Sequence, residues 1–159
     1  MDRPEGLGFG DAVGFSTDAL TAGNKFKDNI AANCTIGFDL QGAGQRLTNN
    51  AAPNSGFGFS IGGAGGHTVQ GNVALGMSQV GVADGFRVSS NDNRLKKNRA
   101  QGHLVGIQVS GERNTLTGNE ASGNGNVVFT LDATDNHPDC DENTWKGNLF
   151  HVSNPACVQ

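Results

Sequence analysis

Aromatic residues and long apolar runs are scarce in this chain. Its 159 residues include no Tyr and one Trp, only 35% of them are hydrophobic, and Gly occurs 25 times. Such a composition suits a narrow coil, which needs one stack of apolar residues per inward face, better than a compact globule. No apolar run approaches the ~20 residues that a bilayer-spanning helix requires. The formal net charge of −4 lacks the basic surplus of nucleic-acid binders. We therefore expect neither a nucleic acid nor a membrane as partner.

Cysteine and targeting signals are also sparse. Met1-Asp-Arg-Pro-Glu-Gly6 has no apolar segment like a secretory leader, so a leader either was removed or never existed. Cys140 and Cys157 flank the last copy of a repeat, and a bridge between them would contribute roughly 3 kcal/mol. We expect this disulfide, and with it an oxidising compartment, which makes the protein secreted or periplasmic. The alternative is three free buried thiols; the state of Cys34 stays open.

A short Asn-rich motif recurs about every 22 residues and keeps its phase through insertions, as in a solenoid. An opening polar residue, usually Asn, is followed by an apolar residue and a closing Asn. The six copies are Asn24–Asn29, Gln45–Asn50, His67–Asn72, Asn93–Asn98, Asn114–Asn119 and Asn143–Asn148.

Between the Asn copies, period-two alternation predicts strands with one inward face. The segments are Gly37-Phe-Asp-Leu40, Gly58-Phe-Ser-Ile61, Gly85-Phe-Arg-Val88 and Gly106-Ile-Gln-Val109, opened by Gly14-Phe15 and closed by Val128-Phe-Thr-Leu131. Each Asn motif supplies a second strand, and a short third strand follows, with Ala31, Ala74, Ala100 and Ala121 inside. Three short strands per turn predict an all-β, single-stranded parallel β-helix of about six turns (rungs). Its closing Asn residues should form a ladder, and its Phe residues a stack that ends in Ile107 and Phe129.

The repeat pattern divides the chain into three predicted parts. These are a lead-in (residues 1–13), the β-helix rungs (14–131), and a last rung with a disulfide-bearing cap (132–159). Longer turns at Leu75–Asp84 and Asp132–Glu142 should respectively shape a binding surface and cover the end of the coil. The Gly-rich segment Leu7–Gly10 cannot form an amphipathic capping helix. We therefore expect a longer parent chain or a homo-oligomer to cover the first rung.

The combination Asn-x-Leu-x-x-Asn-x-Ala with Gly-Phe/Ile-x-Val/Leu resembles the right-handed parallel β-helix repeats of the pectate-lyase-like superfamily. It is similar in particular to the periplasmic copper-pathway accessory type and the alginate C5-epimerase type, over roughly residues 14 to 157. The ending Cys140–Phe150 followed by Asn154-Pro-Ala-Cys157 is similar to the terminal rung of many secreted members. The resemblance implies the right hand of the coil and, among activities, lyases, hydrolases or epimerases of polyuronates.

The catalytic motifs that this resemblance implies are incomplete. Alginate-type enzymes use a Tyr, which this chain lacks. The polygalacturonase pattern is absent apart from the partial match Ser16-Thr17-Asp18, and only fragments of a pectate-lyase calcium site occur. Whether the chain is an enzyme therefore stays open.

One candidate site lies on the outward side of the Gly-Phe strands, along the row Ser16, Asp39, Ser60, Arg87, Gln108 and Thr130. Asp84 and His103 precede neighbouring strands, so we expect both near Arg87. In a catalytic site Arg87 would neutralise a uronate, His103 would be the general base and Asp84 would complete the group, with Asp39, Ser60 and Gln108 binding substrate. The alternative is a polar strand face with a weak Asp84–Arg87 ion pair.

The remaining polar residues give weaker signals. His67 takes an opening Asn position and should make a corner hydrogen bond, and no Cys/His spacing predicts a metal site. Candidate Ca²⁺ ligands without a recognisable loop order are the acidic residues Asp132, Asp135, Asp139, Asp141 and Glu142. Apart from Ca²⁺ we expect no cofactor. A basic stripe (Lys25, Lys27, Arg46, Arg94, Lys96 and Lys146) would attract an anionic polysaccharide or serve only as a solvated face.

Two readings of the function remain. In the first, the chain binds or acts on an acidic polysaccharide; in the second, it is a non-catalytic spacer, adhesin part or assembly module. An ice-binding solenoid is set aside, since the required Thr-x-Thr pattern occurs once, at Thr115–Thr117. The turn at Leu75–Asp84 should discriminate between the two, because a groove over Arg87 would favour an enzyme.

Overall fold

The chain folds into a parallel β-solenoid of about six turns, as predicted. The computed structural model describes residues 12–76, 83–125, 131–137, 139–140 and 142–158. Every strand pair in these ranges is parallel, and no helix occurs in them. The strands form three sheets of seven, six and five strands, and equivalent residues of successive turns lie side by side.

The three sheets follow the three predicted strand sets. The first sheet contains Val13–Thr17, Ile36–Leu40, Phe57–Ile61, Asp84–Val88, Val105–Val109, Leu131–Asp135 and Ser153–Asn154. The second contains Lys25–Lys27, Arg46–Thr48, Thr68–Gln70, Arg94–Lys96, Thr115–Thr117 and Thr144–Lys146. The third contains Ala51–Pro53, Val73–Leu75, Arg99–Gln101, Glu120–Ser122 and Leu149–Phe150.

The closing Asn residues form the predicted ladder at the corner between the second and third sheets. Each side-chain Nδ2 donates to the Oδ1 of the Asn one turn further along at 3.0–3.1 Å, from Asn29 through Asn50, Asn72, Asn98 and Asn119 to Asn148. The same oxygens accept the backbone N–H groups of the preceding ladder residues at 2.8–3.0 Å. The residue before each closing Asn has a φ between 53° and 66°, which makes this corner a tight turn. Closing Asn residues that are 21 to 29 residues apart in the sequence therefore make the same contact at every turn.

A second ladder runs through the opening residues, at the corner between the first and second sheets. Side-chain oxygens of Gln45, Asn93, Asn114 and Asn143 accept the backbone N–H of the preceding member at 2.8–2.9 Å. His67 takes its place in this ladder, since its Nδ1 accepts the Gln45 N–H at 3.1 Å. Nδ1 is therefore unprotonated, and Nε2–H donates to the Gly62 carbonyl at 2.9 Å. The predicted corner role of His67 is confirmed.

The core is a column of stacked aromatic rings from the first sheet. Phe15, Phe38, Phe59 and Phe86 stack with centroids 4.7–5.0 Å apart and nearly parallel planes, and Ile107 continues the column. Opposite them lie small buried side chains, which are Ala52, Ala74, Ala100 and Ala121 of the third sheet and Ala31 of the preceding turn.

The Gly before each stacked residue is required because the first and third sheets approach closely there. A Cβ on Gly58 would lie 2.5 Å from the Ala74 Cβ and 2.5 Å from the Gly85 carbonyl oxygen. On Gly85 it would lie 2.7 Å from the Ala100 Cβ. No side chain fits at these positions without moving backbone.

The last first-sheet strand of the coil differs from the prediction. Ala133, not Phe129, pairs with Ile107, and Thr134, not Thr130, pairs with Gln108, in the strand Leu131–Asp135. Phe129 and Thr130 lie outside the described residues. The apolar segment Val128–Leu131 misled the prediction because an acidic strand is costly to bury unless its carboxylates find donors. Here they do, as described below.

The predicted disulfide is present in the carboxy-terminal cap. Cys140 and Cys157 are bonded, with Cα atoms 6.0 Å apart. Cys34 is buried as a free thiol. The cap therefore closes the end of the coil covalently.

Candidate functional site

The predicted first-sheet row is continuous along the coil. Ser16, Asp39, Ser60, Arg87, Gln108 and Thr134 pair in register on consecutive strands. Asp39 is thus two strands from Arg87, as expected, and accepts a hydrogen bond from Gln41 Nε2 at 2.8 Å. Because parallel strands repeat about every 4.8 Å, the row presents polar groups at a regular spacing.

Arg87 is the centre of this row, and two of the three predicted catalytic residues meet there. Its Nε lies 4.0 Å from Asp84 Oδ2, and its guanidinium carbon lies 5.6 Å from the centroid of the Phe57 ring. The Arg87 side chain is 52% exposed and that of Asp84 is 10% exposed, so the pair is only partly screened by solvent. Burial raises the pKa of Asp84 to about 6, and the charge of Arg87 opposes this.

His103, the predicted general base, lies on the inner side of the first sheet. It is 2% exposed, and a Cβ on Gly85 would be 3.1 Å from its Cδ2. Burial lowers the pKa of His103 to about 4, against a smaller opposing effect from the backbone of Gly56 and Ala74. Neither ring nitrogen makes a hydrogen bond to a residue that the structure describes. The imidazole is therefore neutral and enclosed, while Arg87 faces outward, and the catalytic roles of Asp84, Arg87 and His103 stay predictions.

Sequence reasoning missed that His103 belongs to a third corner. Its backbone N–H donates to Asn124 Oδ1 at 3.1 Å, as the Cys34 N–H donates to Ser55 Oγ at 3.4 Å. Both pairs are separated by 21 residues, and this common spacing was the available signal. Sequence reasoning also missed Phe57, because period-two alternation assigns it to the same inward face as Phe59, whereas it is partly exposed and lies beside Arg87.

The basic stripe forms the outer face of the second sheet, which we call the basic face. Lys25, Lys27, Arg46, Arg94, Lys96 and Lys146 are all exposed there. The other outward positions carry Thr48, Thr68, Gln70, Thr115, Thr117 and Thr144. None of these twelve positions carries a carboxylate or an aromatic ring.

The buried carboxylates of the cap are satisfied by nitrogen donors. Asp135 Oδ2 accepts from Asn143 Nδ2 and Trp145 Nε1, both at 3.0 Å. Asp132 accepts from Asn124 Nδ2 at 2.9 Å and from the His151 backbone N–H at 3.0 Å. These two residues, named above as candidate Ca²⁺ ligands, therefore connect the segments of the last turn by hydrogen bonds.

A family model for NosD, described as a periplasmic copper-binding protein, matches residues 10–156. The chain belongs to this NosD family. No curated protein and no solved structure matches the sequence. Membership agrees with the right-handed parallel β-helix that the family resemblance implied. Because the family is periplasmic, it also confirms the expected compartment. In the parts of the chain that the structure describes, no helix has the length and hydropathy needed to cross a bilayer.

The described residues do not fit the copper site that the description of the NosD family implies. Imidazole, thiolate and thioether are the side-chain ligands that copper favours. His67 uses both nitrogens in the corner ladder, and His103 is enclosed in the core. His137 Nδ1 bonds Asp135 Oδ1 at 2.9 Å. His151, whose side chain is 73% exposed, has its Nδ1 3.7 Å from Asp132 Oδ2. Within the described ranges no three His, Cys, Asp or Glu residues converge on a point where a metal would sit.

Proposed function

We propose that this NosD-family chain is a non-catalytic periplasmic module that binds an extended polysaccharide. The supporting observation is the strict register of outward polar side chains along flat, parallel sheets. Such a surface offers donors, acceptors and charges at one repeat distance of about 4.8 Å, along an axis that an extended sugar chain can follow. The two hydrogen-bonded ladders hold the surface rigid, so little conformational entropy is lost when a ligand binds.

The contacts around Arg87 favour binding over catalysis. A general base must lie within about 3 Å of the proton it removes, directly or through one water. His103 is enclosed beneath the first sheet, and the outward row itself contains no imidazole. With no Tyr in the chain, the tyrosine-dependent chemistry of alginate-type enzymes is not available.

Affinity electrophoresis combined with an absorbance assay tests the proposal. The protein is run through gels that contain alginate, pectate, glucuronan or a neutral dextran, and the same polymers are incubated with it in solution. We expect retardation in at least one gel and no ultraviolet absorbance from unsaturated product. Unsaturated product would instead assign a lyase, and Arg87→Gln would then be the first variant to assay.

A second candidate function is a rigid spacer or assembly module. The unbroken Asn ladder from Asn29 to Asn148 favours it, because the ladder links successive turns into a stiff rod. A stiff rod can separate or position other parts of an assembly without binding a ligand. Mobility unchanged by every polymer would select this function and reject polysaccharide binding.

A further inference from the structure

The three outer faces of the coil differ sharply in charge. The first-sheet row carries one cation, Arg87, together with the carboxyl groups of Asp39 and Asp84. On the third sheet Arg99 is neutralised by Glu120 at 3.8 Å. The basic face instead holds six of the eleven Lys and Arg residues of the chain, although the chain as a whole is acidic. Charge of one sign is therefore concentrated on one flat surface.

Five of these six cations have no acidic partner among the described residues. Lys27 is the exception, with Nζ 3.5 Å from Asp28 Oδ2, and both side chains there are more than half exposed. Elsewhere on the coil, Arg87, Arg99 and Arg113 have acidic partners, as Arg113 does in Asp92 at 2.9 Å. Lys97, which is also exposed, has none among the described residues. The charges of the basic face are thus available to an external anion and act over the Debye length of about 8 Å at physiological salt.

The pattern of the face matches a linear polymer. Cations and neutral hydrogen-bonding residues share two columns, which read Lys25, Arg46, Thr68, Arg94, Thr115, Thr144 and Lys27, Thr48, Gln70, Lys96, Thr117, Lys146. The columns are roughly 7 Å apart and extend roughly 24 Å along the coil axis. Cations match carboxylates, and the Thr and Gln side chains between them match sugar hydroxyls.

We propose that the basic face binds an acidic polysaccharide whose chain runs along the coil axis. This inference rests on the proposed function and names its ligand class and its site, which is the second sheet rather than the first. A nucleic acid would stack its bases on aromatic side chains, and a lipid surface would take up apolar ones. The basic face offers neither.

Paired charge-neutralising variants test the site with alginate as the probe. Arg94→Gln with Lys96→Gln removes two cations from the middle of the basic face. Arg99→Gln with Arg113→Gln is the matched control, because it removes two exposed cations that lie outside the basic face. In biolayer interferometry at low salt we expect the first pair to weaken alginate binding about tenfold, as for two exposed ionic contacts, and the control to stay within about twofold. Circular dichroism and thermal unfolding verify that both variants are folded.

The remaining outcomes separate this inference from the proposed function. Unchanged alginate binding in the Arg94/Lys96 pair, or an equal loss in the control pair, would move the site away from the second sheet and overturn the inference. Binding of dextran but not alginate would also overturn it, while leaving polysaccharide binding intact. Capture by phosphatidylglycerol vesicles without alginate binding would assign the face to a lipid surface. No binding to any polysaccharide would remove both proposals.

Discussion

Replacing Asn98 by Ala tests how much the Asn ladder stabilises the coil. The buried side chain of Asn98 takes part in four hydrogen bonds. Its Oδ1 accepts from the backbone N–H and the Nδ2 of Asn72 at 2.9 and 3.1 Å. Its Nδ2 donates to the Val69 carbonyl at 2.9 Å and to Asn119 Oδ1 at 3.0 Å. Ala leaves the Asn72 N–H and the Val69 carbonyl without these partners inside the protein.

Each orphaned buried group costs about 1–3 kcal/mol, so we expect Asn98→Ala to lower the free energy of unfolding by about 4 kcal/mol. A domain with a stability of about 5–15 kcal/mol would lose a large part of it. Asn29→Ala, at the open end of the same ladder, is the matched control. It removes one side-chain bond, to Asn50 Oδ1, and that oxygen still accepts the Asn29 backbone N–H at 3.0 Å. Its cost should stay below about 1 kcal/mol.

Equilibrium unfolding in urea measures both variants with two signals. Circular dichroism follows all strands, and the fluorescence of Trp145, the only Trp, follows the last turn. Coincident transitions would show that the coil unfolds as one unit, which repeat proteins do not always do. Equal losses for Asn98→Ala and Asn29→Ala, or a loss below 1 kcal/mol for both, would refute the ladder as a source of stability.

Three further perturbations address the core and the cap. Because folding holds the pKa of His103 near 4, the unfolded chain takes up the proton first as pH falls below 6.5, and stability drops by up to about 3 kcal/mol toward pH 4. In pH-dependent thermal unfolding, the variant His103→Leu should lack this loss. If the difference in stability between wild type and variant stays the same from pH 7 to pH 4, the prediction is wrong. Gly58→Ala should lower the free energy of unfolding by about 3 kcal/mol, because its new Cβ would lie 2.5 Å from a backbone oxygen. The control Gly62→Ala should cost less than about 1 kcal/mol, because the nearest atom to its Cβ would be 3.4 Å away. Similar urea midpoints for the two variants would disprove the close approach of the sheets. Cys140→Ser should lower the free energy of unfolding by about 3 kcal/mol, the same as reduction of the wild type by dithiothreitol, and reduction should not destabilise the variant further.

Repeated local chemistry made most of the fold predictable. The positions of Asn50, Asn72, Asn98 and Asn119 in the sequence already require one shared corner, because each needs the next as hydrogen-bond partner. The Phe stack is predictable as well, because Phe recurs at the same inward position of successive first-sheet strands. The position of the last first-sheet strand of the coil was not predictable, because that strand contains Asp132 and Asp135. Burial of these carboxylates depends on donors such as Asn124 and Trp145, which only the tertiary structure brings close.

The candidate site was predictable only in part. The alternation of the first sheet correctly placed Asp39, Ser60, Arg87 and Gln108 in one row. The direction of His103 was not predictable, because it sits at a corner, where the period-two rule for strands does not apply. The turn at Leu75–Asp84 was expected to discriminate between enzyme and module, but residues 77–82 lie outside the described ranges, so that part stays a prediction.

The left-handed turn before each closing Asn has a consequence for how such a chain changes length. The second-sheet side that ends at this corner has one length. The five-residue step from Asn93 to Asn98 recurs unaltered in every copy of the motif. Inserted or deleted residues are accommodated at the other two corners, where the separation between ladder partners stretches from 21 to 29 residues. The length of the second-sheet side is therefore constant, and longer connections at the other two corners leave every turn in register with its neighbours.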